Sequence, residues 1–149
     1  MKIDWEIKTF HELSPIELYN IMQLRGEVFV VEQNCPYLDA DGKDLKCLHL
    51  MGSSSEGLIA YSRIVPAGVS FNEVSIGRVV SSPKVRNTGA GRALMERSLE
   101  EIKVKFGAVP VRIGAQLYLK KFYESFGFVT VSDEYLEDDI LHIEMLKQS

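Results

Sequence analysis

The chain lacks most of the features that would mark a specialised class. Only two of its 149 residues are cysteines, Cys35 and Cys47, and they do not form a C-x-x-C pair. This excludes a disulfide scaffold and a paired-thiol redox motif. There is no basic excess, since the net charge is −4. That balance argues against a nucleic-acid partner, although a local basic patch can still hold an anionic ligand. No apolar run approaches the roughly 18 residues of a membrane span. The opening stretch "MKIDWEIKTF" alternates and is charged, so it has no apolar leader core. We expect a cytoplasmic protein with reduced thiols and no membrane partner. Internal repeats and low-complexity segments are also missing.

What remains is ordinary globular material. Hydrophobic residues make up 46% and charged residues 26%, and a chain this long buries about 70% of its unfolded surface. We expect one domain over residues 1–149. "IDWEIK" alternates Ile3, Trp5 and Ile7 as a first strand. Ser14, Pro15 and Glu17 fit an N-cap, a first helical position and a capping-box glutamate, opening a helix to about Phe29. "EQNCPYLDADGKDL" is rich in turn residues and predicts a long loop. "CLHLMGSSSEGLIAYSRIVP" predicts two antiparallel strands around a Ser/Gly turn, and "NEVSIGRVVSS" a third. A long helix follows from about Gly91, with Gly91, Leu94, Met95, Ser98, Leu99, Ile102 and Phe106 on one face by helical spacing and Gly107 as its stop. "VPVRIGAQ" is a strand, "LYLKKFYESFGF" a short helix, and "FVTVSDEYLEDDILHIEMLK" two strands around an acidic loop. The order β-α-β-β-β-α-β-α-β-β predicts an α/β domain with a mixed sheet covered by helices.

The start of the long helix is unusual. "VRNTGAGR" places Gly89 and Gly91 where a helix that only had to pack would use a polar cap and good helix formers. Glycine in a helix interior costs about 1 kcal/mol against alanine. A helix N-terminus presents unpaired N–H groups and partial positive charge, and glycines let an anion approach that backbone. Lys84, Arg86 and Arg92 add charge, and a diphosphate is the natural guest. The dinucleotide pattern G-x-G-x-x-G fails at Leu94, and the triphosphate loop G-x-x-x-x-G-K-[ST] is absent. What stands here is R-x-x-G-x-G. The competing reading is that the glycines permit tight strand–helix packing.

"RNTGAG", with Pro83 upstream and "FYESFGF" downstream, resembles the signature of the GNAT superfamily of N-acetyltransferases. "LRGEVFVVEQNCPYLDADGKD", "IGRVV", "AQLYLKKFYESFGF" and "YLEDDILHIEM" resemble its ElaA-like branch, over about Leu24 to Met145. The resemblance implies a central, mostly antiparallel sheet flanked by helices, and acetyl-CoA as co-substrate without a metal. The backbone of Arg86, Asn87, Thr88, Gly89, Ala90, Gly91 and Arg92 would cradle the CoA diphosphate. Val79, Val80 and Ser81 would lie along its pantetheine arm, with an N–H near Val79 polarising the thioester carbonyl. Gln116 stands where many members carry an asparagine.

By the same resemblance Tyr123 is the expected general acid for the departing thiolate. Beside Phe122 and Phe126 it also reads as a core aromatic with a satisfied hydroxyl. The general base is open among Glu27, Glu32, His49, Glu73, Glu137 and His142, with Glu27 and His142 carried forward. The acceptor is a small-molecule or peptide amine, and since members are often dimers a homodimer fits. A non-catalytic acyl-CoA-binding module of the same fold is the alternative.

Other patterns carry less. Placing Gly42 sixth in a calcium loop puts Tyr37 first and Leu48 last, where acids are required, so "YLDADGKD" is not such a loop. It is expected to be a polar loop that shapes the acceptor pocket. Glu137, Asp138 and Asp139 read as a solvated acidic turn able to attract a cationic amine. Cys47 and His49 share a strand face, but direct transfer needs no protein nucleophile.

Overall fold

The computed structural model describes residues 2–149. Strand β1 (Asp4–Thr9) leads to helix α1 (Pro15–Arg25). The expected capping box is formed: the Ser14 hydroxyl accepts from the Glu17 amide at 3.1 Å, and the Glu17 carboxylate accepts from the Ser14 amide at 2.9 Å. The helical path does not stop at Phe29. From Gly26 it widens into a π-helical turn that runs to Glu32. The β-branched Val28, Val30 and Val31 disguise this continuation in the sequence, because they favour strand or the end of a helix. Turns of this kind are frequent at functional sites.

Strands β2 (Leu48–Ser54), β3 (Gly57–Val65) and β4 (Ser75–Ser81) complete an antiparallel sheet in the order β1-β2-β3-β4. Helix α2 (Ala90–Phe106) follows, then β5 (Val111–Gln116), α3 (Lys120–Glu124), β6 (Val129–Thr130), β7 (Tyr135–Glu137) and β8 (Ile140–Lys147). In the second sheet β8 pairs antiparallel with β5, β6 and β7. The C-terminal part therefore carries three strands, not two. Asp138 and Asp139, both at positive φ, make the tight turn between β7 and β8.

The two faces of the first sheet bury different helices. Met51, Tyr61 and Val80 pack with Ile21, Leu24 and Val28 of the first helical region. Leu50 and Ala60 pack with Ala90 and Leu94 of α2 on the other face, where Ser62 and Ser98 share a buried hydrogen bond of 2.8 Å. The second sheet buries Ile113, Ala115, Ile143 and Met145 against Met95, Ile102, Tyr123 and Phe128.

Under α1 lies a charge network that the sequence pattern did not announce. Arg25 is fully buried, with Nε on Asp39 and Nη1 on Asp44, each at 2.8 Å. Arg63, also buried, holds Asp41 at 2.6 Å and Asp44 at 3.0 Å. Arg78 of β4 holds Asp39 at 2.7 Å and approaches Asp41 at 3.4 Å. The acidic loop residues are thus consumed by arginines from α1, β3 and β4. Hydrogen bonds from Arg63 hold the Asp41 carboxyl far below the usual carboxylate range. Burial opposes the Asp44 charge, but hydrogen bonds from Arg25 and Arg63 outweigh it and keep that carboxyl low as well. Alongside, His49 donates from Nε2 to the Asp44 carbonyl at 2.9 Å and accepts from the Tyr61 hydroxyl at 2.7 Å. Both ring nitrogens are occupied, so His49 is structural. Cys47 donates to the Lys43 carbonyl, and burial pushes its thiol up to about 11, which leaves no thiolate for chemistry.

Removing one carboxylate from this network strands buried guanidinium charge. Asp44→Asn is expected to cost about 3–5 kcal/mol in urea unfolding at neutral pH; a loss below about 1 kcal/mol would show that the network is not structural. Asp41 and Asp44 are held below the unfolded carboxyl value of about 3.9. Their contribution is therefore complete above about pH 5 and is lost as the pH falls through and below about 4. Asp44→Asn should flatten that acid-side slope.

Candidate active site

The two sheets meet at one point. Val74 bridges Val111 in parallel, and the Arg112 amide donates to the Val74 carbonyl at 2.9 Å. Arg112 also pins this end through its side chain, to Glu73 at 3.0 Å and Glu144 at 3.0 Å. Beyond it, no further pairing joins β4 to β5 among the described residues. A cleft of about 1550 Å³ opens between them, lined by β4, β5 and the segments that cross their ends.

A bulge shapes the β4 wall. Register with β3 passes from Tyr61 opposite Val80 to Arg63 opposite Gly77, so Arg78 and Val79 stand against Ser62 alone. Arg78 sits at φ +50, a rare conformation for a residue with a large side chain. Asp39 holds it there by two hydrogen bonds, and its guanidinium lies 5.7 Å from the centre of the Tyr37 ring. Such bulges re-aim a strand next to functional sites.

The glycine junction lies at the open end. Gly89 is the N-cap of α2 at φ +86, which explains the residue type. No side chain caps the helix, so the amides of its first turn lack protein partners. A Cβ placed on Gly89 or Gly91 would meet nothing within 4 Å. The glycines therefore open space rather than permit packing, and Gly91 does not join the core face expected for it. Arg86 forms a bidentate ion pair with Glu32. Arg92 bonds to the Ser125 hydroxyl at 2.8 Å and stacks on Phe126, so its side chain clasps α3. Thr88 turns its hydroxyl back onto the Val85 carbonyl and does not line the cleft.

Tyr123 and His142 reach the cleft from opposite faces of the second sheet. Tyr123, on α3, is 7% exposed and belongs to the cluster that holds Ile113, Ala115 and Ile143. Its ring meets Phe122 and Phe128 edge-on. Tyr123 lines the cleft, and its hydroxyl is not among the fully buried atoms left without a partner. Burial pushes its pKa up to about 12. His142 pairs across the strands with Gln116, on the alternate face. Its Nδ1 is 2.7 Å from the Ile140 carbonyl. A carbonyl only accepts, so Nδ1 carries a proton, and in the neutral ring Nε2 holds the lone pair. Nε2 lies 3.6 Å from the Glu137 carboxylate, and the ring stacks on Tyr135 at 5.8 Å.

The cleft gathers Val79, Val80, Ser81, Arg86, Asn87 and Gly89 through Arg92, together with Gln116, Tyr123 and His142. Glu27 is exposed on the π-helical turn and does not line it, whereas Glu32 does. Glu73 is engaged by Arg112 at the closed end. The sequence reading missed the bulge at Arg78, the tautomer lock on His142 and the arginine partners of the acidic loop. Each depends on residues brought together from distant parts of the chain, and no local pattern signals them.

With this geometry in view, comparison with known proteins is informative. The family model described as an acetyltransferase (GNAT) domain matches residues 48–149. Protein ElaA of Escherichia coli is 43% identical over 148 residues, covering 98% of this chain and 97% of its own. Its crystal structure is similar with a TM-score of 0.92 at 42% identity, over 99% of this chain and 100% of that one. An acyl-CoA N-acyltransferase from Pseudomonas aeruginosa is similar with a TM-score of 0.93 at 44% identity, over 98% and 99% of the two chains. On the family match and on near full-length likeness at this identity, the chain belongs to the GNAT acetyltransferase family.

Proposed function

We propose that this protein transfers the acetyl group of acetyl-CoA directly to an amine acceptor. The observation that carries the reading is the opening between β4 and β5, with a phenol on one face of the second sheet and an imidazole base on the other. The uncapped start of α2 and its two open glycines fit a diphosphate on the phenol's side. The similar Pseudomonas protein, named as an acyl-CoA N-acyltransferase, supports the same ligand class.

When bound, acetyl-CoA supplies a thioester whose acyl carbon accepts the amine nitrogen while the carbon–sulfur bond breaks. The amides of Asn87 through Arg92 hold the diphosphate, and the β4 edge at Val79, Val80 and Ser81 aligns the arm that leads to the thioester. Out of register at the bulge, the Val79 amide donates to the carbonyl as negative charge develops there. His142 Nε2 takes the proton that the amine sheds, with Glu137 beside it to stabilise the imidazolium. Tyr123, fully protonated at neutral pH, donates to the departing thiolate. Holding both reactants in the one opening supplies much of the acceleration. The acceptor is a small-molecule or peptide amine that enters from the His142 side, past the acidic β7–β8 turn.

Gly91→Glu should weaken calorimetric binding of acetyl-CoA at least tenfold, about 1.4 kcal/mol or more, while Gly91→Ala binds within about twofold because its methyl meets open space. Equal binding by both variants would remove the diphosphate from this junction. Tyr123→Phe should lower kcat by about 10²-fold or more with acetyl-CoA affinity unchanged. Because its phenol titrates near 12, the rate should show no Tyr123 limb below about pH 10. His142→Ala should lower kcat/KM by about 10²-fold at neutral pH, and the loss should shrink as the pH rises and the amine arrives already deprotonated. Binding of acetyl-CoA with no CoA release on addition of any amine at any pH would favour a binding module over an enzyme.

A further inference from the structure

Residues 32–35, which leave the π-helical turn, touch three separate parts of the cleft in succession. Glu32 takes both arms of the Arg86 guanidinium, with Nη1 donating to Oε2 at 2.8 Å and Nη2 to Oε1. Gln33 and Gln116 face each other amide to amide at 3.3–3.4 Å, at the end of β5. Cys35 Sγ donates to the Asp138 carbonyl at 3.2 Å, on the turn between β7 and β8. One short segment from the α1 side therefore spans the opening and ties together the glycine junction, the second sheet and the acidic turn.

Arg86 is the pivot. It opens the R-x-x-G-x-G pattern, and its planar fork fits a carboxylate and a phosphate with the same two N–H groups. It cannot hold both at once. Arg92, the other arginine of the junction, is committed to Ser125 and the Phe126 ring. The carboxylate now on Arg86 thus occupies the one guanidinium of the junction whose present partner is itself an anion.

We propose that Glu32 is a positioning residue that competes with the diphosphate of acyl-CoA for Arg86, and that diphosphate binding releases the 32–35 strap. This rests on the acyl-CoA reading above and deepens it. Free protein keeps Arg86 on Glu32 and the strap closed on Gln116 and Asp138. A diphosphate at the α2 N-terminus draws Arg86 away, the Glu32 anchor is lost, and the strap loosens on the side where the amine enters. Both partners are partly exposed, at 44% and 39%, so solvent screens the pair and the competition is modest, about two- to fivefold in affinity.

Calorimetric titration with CoA at fixed ionic strength tests this on the wild type, Glu32→Gln, Arg86→Gln and the double variant. Glu32→Gln should tighten CoA by about two- to fivefold, Arg86→Gln should weaken it, and in the Arg86→Gln background Glu32→Gln should change nothing. A merely structural Glu32 would weaken binding on replacement. If the wild type binds CoA but Glu32→Gln binds it no more tightly, the competition is overturned and the acyl-CoA reading stands. Tightening that persists without Arg86 is long-range charge removal and also overturns it. If the wild type does not bind CoA at all, the acyl-CoA reading and this inference fall together.

Discussion

One hydrogen bond divides this molecule into its working parts. The Arg112 amide reaches the Val74 carbonyl, and past that point β4 and β5 run alongside each other without pairing. Two parallel strands that part leave backbone donors and acceptors facing an opening. The parting is framed on both flanks. Arg112 clamps the closed end to Glu73 and Glu144, and the bulge at Arg78 turns the open stretch of β4 out of register with β3. Every feature of the candidate site is placed relative to that gap.

The arginine–aspartate network explains how the bulge is tolerated. Three guanidinium groups and three carboxylates interlock, so each charge removed from water has a partner of opposite sign. Asp39 joins Arg25, on the first helix, to Arg78, whose backbone sits in the left-handed region. A strained residue persists when its surroundings over-determine it. The acidic loop, which on its own looks like solvated surface, is the element that over-determines this one. Its tyrosine, Tyr37, adds a ring under the Arg78 guanidinium.

The second sheet separates the chemistry by alternation alone. Successive residues of β5 and β8 point to opposite sides, so Ala115 and Ile143 go to the core with Tyr123, while Gln116 and His142 go to the other face. The proposed donor and the proposed base, held on opposite sides of one thin layer, would act on the same reacting centre from two directions without interfering with each other. The glycine junction belongs to the Tyr123 side, since Ala90 and Leu94 pack against that face of the first sheet. The two substrates proposed for this site would therefore approach from different sides of the molecule.

Much of this was legible in the sequence because it is local. The capping box at Ser14, the strand alternation of β5 and β8, the apolar stripe of α2 and the R-x-x-G-x-G junction each lie within one turn or one strand. The family could be recognised from motifs of the same kind. Residue type at Gly89 was legible too, since a positive φ at a helix start admits little else. Tertiary structure decided what depends on distance. Glu27 and Glu32 lie five positions apart on one π-helical segment, yet only the second lines the cleft while the first stays in solvent. Asp39, Asp41 and Asp44 read as loop polarity until arginines 14 to 39 residues away in sequence arrive to bind them. The sequence by itself determined most of the elements and the family; the tertiary structure decided which side chains meet, because ion pairing and burial act through space between residues that no local pattern connects.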